Sequence, residues 1–92
     1  IAPQALFFLN SKLVLDTAEL LAQKAILKAP TPEAQILFLY ENILGRTPTL
    51  YEANRAKDFL LQALKLSENN PVKAMAALAQ ILVSSNEFVT LR

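Results

Sequence analysis

Apolar residues recur every three to four positions along most of this chain, and five prolines punctuate the pattern without falling inside it. Pro3, Pro30, Pro32, Pro48 and Pro71 all lie between periodic segments. A proline inside a helix costs about 3 kcal/mol, so prolines placed this way mark joints. The spacing predicts a short helix over residues 3–9 and a second helix from Asn10 or Ser11 to Lys28. A third opens at Thr31, whose hydroxyl can cap while Pro32 takes the first helical position, and closes at Leu44. Gly45 then suits the left-handed residue that follows a helix. The run Thr49-Leu50-Tyr51-Glu52 reads as a capping box opening a fourth helix that extends to about Leu66. Asn70-Pro71 repeats the cap-plus-proline device for a fifth, ending near Val83. A tail from Ser84 to Arg92 adds a turn and an extended end.

Set at 100° per residue, the fourth helix is cleanly two-sided. Ala53, Ala56, Phe59, Leu60, Ala63 and Leu64 share one face, opposite Asn54, Arg55, Asp58, Gln62 and Lys65. The third gathers Ile36, Leu37, Leu39, Tyr40, Ile43 and Leu44 on a broad stripe, with Phe38 pointing the other way. The second and fifth helices each carry a spare apolar strip. On the second, Val14, Ala18, Leu21, Ala22 and Ala25 form the wide face, while Leu13, Leu20 and Leu27 recur every seventh residue on another side. On the fifth, Ala74, Ala77 and Ile81 lie behind Val72, Met75, Leu78, Ala79 and Leu82. Two arrangements dispose of the spare strips. Either the chain ends, with Leu6, Phe7 and Phe8 at one and Phe88 and Val89 at the other, fold over them, or they face another protein surface.

Composition strengthens the helical reading. Ala and Leu supply 32 residues against nine for Val and Ile, and a single glycine leaves almost nothing for hairpin turns. The expected class is all-α: a compact bundle of four main helices plus the short N-terminal one, forming one domain of 92 residues. With 53% hydrophobic residues the chain is too apolar to be disordered, and no apolar run approaches the roughly 20 residues of a membrane span. The opening Ile1-Ala2-Pro3, without a methionine, suggests a domain cut from a longer polypeptide.

Charge and chemistry narrow the function classes. A net charge of +1 gives no bulk attraction for nucleic acid, and the basic residues Lys12, Lys24, Lys28, Arg55, Lys57, Lys65, Lys73 and Arg92 make no single stripe. Having neither Cys nor His, the chain lacks thiolate nucleophiles, covalent haem attachment, histidine-based triads and the usual zinc ligands, so no cofactor is expected within it. Asp16 and Glu19 lie a helical turn apart and read as a solvated face; Glu52 is explained by capping and Glu33 by its place at a helix N-terminus. Ser11, Lys12 and Ser67 sit at helix boundaries, where capping accounts for them. Arg46, between Gly45 and Thr47-Pro48, is expected to brace a corner against helix-end carbonyls or a carboxylate such as Glu52 or Glu41. Its other reading is an anion contact.

An ordered series of residues resembles a known family. Ala2-Pro3-Gln4-Ala5-Leu6, Leu9-Asn10-Ser11, Val14, Ala18 and Leu21-Ala22 open it. Leu39-Tyr40, Leu44-Gly45-Arg46, Thr47-Pro48-Thr49 and Glu52 continue it, and Ala77 to Leu82 with Ser85-Asn86-Glu87-Phe88 end it. The series is similar to the C-terminal region of a family of large planctomycete proteins of unknown function, DUF1553 or PSD1 (planctomycete cytochrome C-associated). That resemblance implies an exported multidomain protein, with haem and carbohydrate-binding modules preceding this piece. It transfers no functional residue to this chain. After Asn86-Glu87-Phe88 the family's aromatic and acidic tail is replaced by Val89-Thr90-Leu91-Arg92.

The sequence therefore points to a non-catalytic packing module whose partners are upstream domains of the same polypeptide, another protein, or a second copy of itself. Leu13, Leu20, Leu27, Phe38 and Ile81 are the expected contacts, and Thr31, Gly45, Arg46, Thr49 and Glu52 the expected structural residues. The rival classes are a composite enzyme site to which Arg46 or a carboxylate contributes, and a nucleic-acid-binding module.

Overall fold

The computed structural model describes residues 12–85. They form four helices and, among the described residues, no strand: α1 (Lys12–Lys28), α2 (Pro32–Ile43), α3 (Leu50–Leu66) and α4 (Pro71–Val83). The expected short helix over residues 3–9 and the tail beyond Ser85 lie outside the described residues.

Each joint is built by the residues that announced it. Thr31 stays extended and its Oγ1 accepts from the Ala34 N–H at 3.2 Å, while Pro32 occupies the first turn of α2. Asn70 serves α4 in the same way, its Oδ1 accepting from Lys73 N–H at 3.1 Å ahead of Pro71. Helix α2 stops one residue short of the expected Leu44, which becomes its C-cap. Gly45 follows at φ +73°, and its N–H joins that of Leu44 on the Tyr40 carbonyl. A Cβ there would meet no atom within 4 Å, so glycine is favoured by backbone conformation and not by space. The α3–α4 joint turns without glycine: Glu68 and Asn69 both adopt positive φ, 57° and 62°, and the Asn69 N–H closes on the Leu64 carbonyl at 2.7 Å. Asparagine tolerates that region better than glutamate does.

These short turns fold the rods antiparallel. Around the bundle α1 touches α2, α2 touches α3 and α3 touches α4, and the most extensive contact of all closes the ring between α1 and α4. A further contact between α2 and α4 spans the interior. Helix α4 thus meets all three others, which is why it is apolar nearly all round. Its Ala74, Met75, Ala76, Leu78, Ala79, Leu82 and Val83 are buried. The spare strip expected on this helix is consequently absorbed in large part by the bundle itself: Ala74 is buried and Ala77 half-buried, leaving Ile81 exposed.

Side-chain size sets the spacing where α1 and α4 meet. Ala18, Ala22 and Ala25 on α1 and Ala79 on α4 are wholly inaccessible, and all belong to one buried cluster with Ala74 and Ala76. Methyl-sized side chains allow two helices to approach closely, and close packing makes any added methylene costly. Ile36 and Leu39 of α2 are the largest fully buried side chains, and Tyr40, Ala56, Leu60 and Met75 complete the core around them. No polar or charged residue is buried among the described ones. Helix α3 presents its expected face, with Ala56 and Leu60 buried and Phe59, Ala63 and Leu64 packed against the core from the rim.

Helix α2 departs from the expected stripe. Leu37 is exposed, whereas Phe38 is half-buried and packs against the core cluster. Because α2 touches three neighbours, more than one of its sides is covered, which a single-face projection of the sequence does not anticipate.

Two stability outcomes follow from this geometry. Ala22→Leu is expected to cost about 3 kcal/mol by overpacking, against less than about 0.5 kcal/mol for Gln23→Ala on the exposed side of the same turn, by urea unfolding. Glu68→Gly is expected to raise stability by about 0.5–1 kcal/mol by releasing a left-handed glutamate, measured the same way; a loss would contradict the strain assigned to that joint.

Candidate functional site

The densest polar constellation stands at the corner between α2 and α3. Thr49 and Glu52 form the anticipated capping box: Thr49 Oγ1 accepts from the Glu52 N–H at 3.1 Å, and Glu52 Oε1 accepts from the Thr49 N–H at 2.9 Å. Arg46 adds a fork. Its two terminal nitrogens donate to the two carboxylate oxygens of Glu52, each at 2.8 Å, and one also donates to the Thr47 carbonyl at 3.0 Å. The guanidinium carbon lies 5.7 Å from the centre of the Tyr40 ring, which is itself part of the core. One carboxylate therefore caps α3 and, through Arg46, ties it to the last turn of α2.

The electrostatics agree with a brace. Hydrogen bonds from Arg46 first, and from the Thr49 backbone next, hold the Glu52 carboxyl down at about 2, well below the usual carboxylate range. Of the two carboxylates offered to Arg46 by the sequence, Glu52 is the one it grips. An arginine spread over a carboxylate, a carbonyl and a ring has most of its donors committed, and a carboxyl so acidic stays ionised at neutral pH and makes a poor proton donor or acceptor. The corner is built for mechanical fixing.

Elsewhere an apolar cleft of about 300 Å³ opens between the start of α2, the end of α3 and the start of α4. Pro32, Leu60, Leu61, Leu64, Pro71 and Met75 line much of it. Glu33 and Lys57, 3.1 Å apart, stand at its edge, their side chains 60% and 44% exposed. The Glu33 carboxyl is lowered, chiefly by its own backbone N–H at the helix start and then by Lys57. This pairing of residues on different helices has no local sequence signal and emerges only from the packing of α2 on α3. The cleft can accommodate an apolar group; its lining supplies no hydroxyl, no thiol and no converging carboxylates, and its amine, Lys57, is paired with Glu33.

The proposed contact residues are scattered. Leu13, Leu20 and Leu27 lie along one side of α1, 60%, 51% and 86% exposed. Ile81, on α4, is half exposed between two shallow hollows, one shared with Phe59 and Ala77, the other with Tyr51 and Arg55. Phe38 turns inward as described. Reading helical faces also missed exposed apolar residues, Leu50, Tyr51 and Leu66 near helix ends and Leu15 and Leu61 within helices. Tyr51 is nevertheless engaged: Arg55 donates to its hydroxyl at 2.8 Å.

Among the described residues no group of three or more His, Cys, Asp or Glu is placed to hold a metal ion, and no helix is long and apolar enough to cross a membrane. No family model, no curated protein and no solved structure matches the chain.

The brace generates a pH dependence of definite sign. A carboxyl lowered on folding adds stability above its unfolded value near 4.5, and that stability is lost as pH falls from there towards about 2. With about 30% of the Glu52 side chain still accessible, solvent screening reduces the contribution to about 1–2 kcal/mol. Glu52→Gln should therefore cost about that much at pH ~7 and much less at pH ~2, by urea unfolding. An equal loss at both would assign the effect to packing.

Proposed function

We propose that this chain is a non-catalytic helical packing module of a larger protein, docking on neighbouring domains of the same polypeptide or on a protein partner through apolar surface that its own bundle leaves open. The observation that carries this reading is the strip Leu13, Leu20 and Leu27, each more than half exposed on a helix whose opposite alanine face is completely buried. Single exposed leucines are ordinary on protein surfaces, but a row at seven-residue spacing makes a ridge of the kind helices use to pack on one another. Ile81 offers a second and smaller foothold.

The resemblance to the C-terminal region of the DUF1553 or PSD1 family supplies the setting in this proposal: an exported multidomain protein in which this module follows the functional domains. An accessory contribution of Arg46 to a composite active site is disfavoured by its bidentate hold on Glu52. The nucleic-acid reading draws no support from a net charge of +1 and dispersed basic residues.

Titrating the adjacent fragment of the parent polypeptide into the isotopically labelled chain tests the reading by heteronuclear NMR. Methyl shifts are expected at Leu13, Leu20 and Leu27, with smaller ones at Ile81, while Leu39 and Ile36 in the core stay put. Shifts confined to other surfaces, or none at all, overturn it.

A further inference from the structure

We propose that α1 pairs with α1 of a second copy of this chain, antiparallel, about a two-fold axis passing beside Leu20. The inference rests on the reading of the leucine strip as a contact surface and names one partner for it. The strip is symmetric about Leu20. Leu13 and Leu27 stand seven residues to either side of Leu20, and all three are exposed. Asp16 and Lys24 stand four residues to either side, both exposed, and carry opposite charge.

Turning one copy through the two-fold axis sets Leu20 against Leu20, Leu13 against Leu27 and Asp16 against Lys24, the last two matches occurring twice. A two-fold interface requires a patch complementary to itself, and this one is. A parallel pair would instead set Asp16 against Asp16 and Lys24 against Lys24, so charge selects the antiparallel orientation. Asp16 already accepts from Lys12 at 2.7 Å through Oδ2, and its side chain remains mostly in water, leaving Oδ1 for Lys24 of the second copy. Lys12 and Lys28 fall opposite each other at the outer ends, where long stems let both ammonium groups turn to solvent.

The buried side of the same helix does not compete for these residues. Val14, Ala18, Ala22 and Ala25 face the bundle, and the strip lies on a different side. Leu13 to Leu27 spans about 21 Å of helix, a single-helix contact at the small end of the range for specific interfaces. Association in the micromolar to millimolar range is therefore expected.

Sedimentation velocity on the full chain should find the average mass rising from one chain towards two between about 10 μM and 1 mM. Leu20→Glu should weaken association about tenfold or more while leaving the circular dichroism spectrum unchanged. Lys24→Asp should weaken it about fivefold, with Asp16→Lys in the same chain restoring it. The native sequence has no cysteine, so single cysteines report the register. Leu20→Cys should oxidise readily to a covalent dimer; Leu13→Cys alone should do so far more slowly, and Leu13→Cys with Leu27→Cys should recover the rate. Three results overturn the proposal: a monomer throughout that range, Leu13→Cys cross-linking as fast as Leu20→Cys, or Leu20 methyls lying against Phe7 or Phe8 of the same chain in a monomer. A monomer whose Leu20 still shifts on adding the parent fragment rejects self-pairing and keeps the docking reading.

Discussion

The bundle depends on how closely its first and last described helices approach. Ala18, Ala22 and Ala25 on α1 and Ala79 on α4 carry no accessible surface, and the α1–α4 contact is the most extensive among the described helices. Methyl groups bring two rods together over their length, so dispersion and water exclusion act along the whole seam instead of at a few large side chains. That seam joins Lys12–Lys28 to Pro71–Val83, segments far apart in the chain, and it holds α2 and α3 in place because both pack on α4. The larger buried residues of the same cluster, Ile36, Leu39, Tyr40, Leu60 and Met75, come from α2, α3 and α4.

The same seam accounts for the exposed leucines. A helix that presents alanine to its neighbour has its larger apolar residues left for other directions, and on α1 these are Leu13, Leu15, Leu20 and Leu27. Putting the leucines inside would have widened the bundle; leaving them outside produces an exposed apolar ridge. The close seam and the exposed ridge thus arise from one allocation of side-chain volume along a single helix.

The Arg46 corner has a different logic. Polar groups there are few and mutually satisfied: Glu52 caps its own helix, takes both arms of Arg46, and Arg46 rests beside Tyr40 at the edge of the core. Such a network fixes the angle between α2 and α3 where hydrophobic packing, being non-directional, would not. The opposite joint, Glu68-Asn69, turns through two left-handed residues, and there the Ser67 hydroxyl lies within donating distance, 3.3 Å, of the Leu64 and Asn70 carbonyls.

Much of this was legible in the chain. Caps at Thr31, Thr49 and Asn70, the left-handed Gly45, the ends of α3 and α4 and the two-sidedness of α3 follow from local chemistry, since capping bonds and proline restrictions act within a few residues. The leucine strip of α1 was legible for the same reason: seven-residue spacing is a property of one helix. Tertiary structure alone decided that Phe38 turns towards the core while Leu37 faces water, that Ala74 is covered, that Arg46 takes Glu52 and leaves Glu41, and that Glu33 meets Lys57. Each of these depends on which neighbour lies beside which face. A periodic pattern says that a helix has an apolar side; only the arrangement of several helices says how many of its sides are occupied.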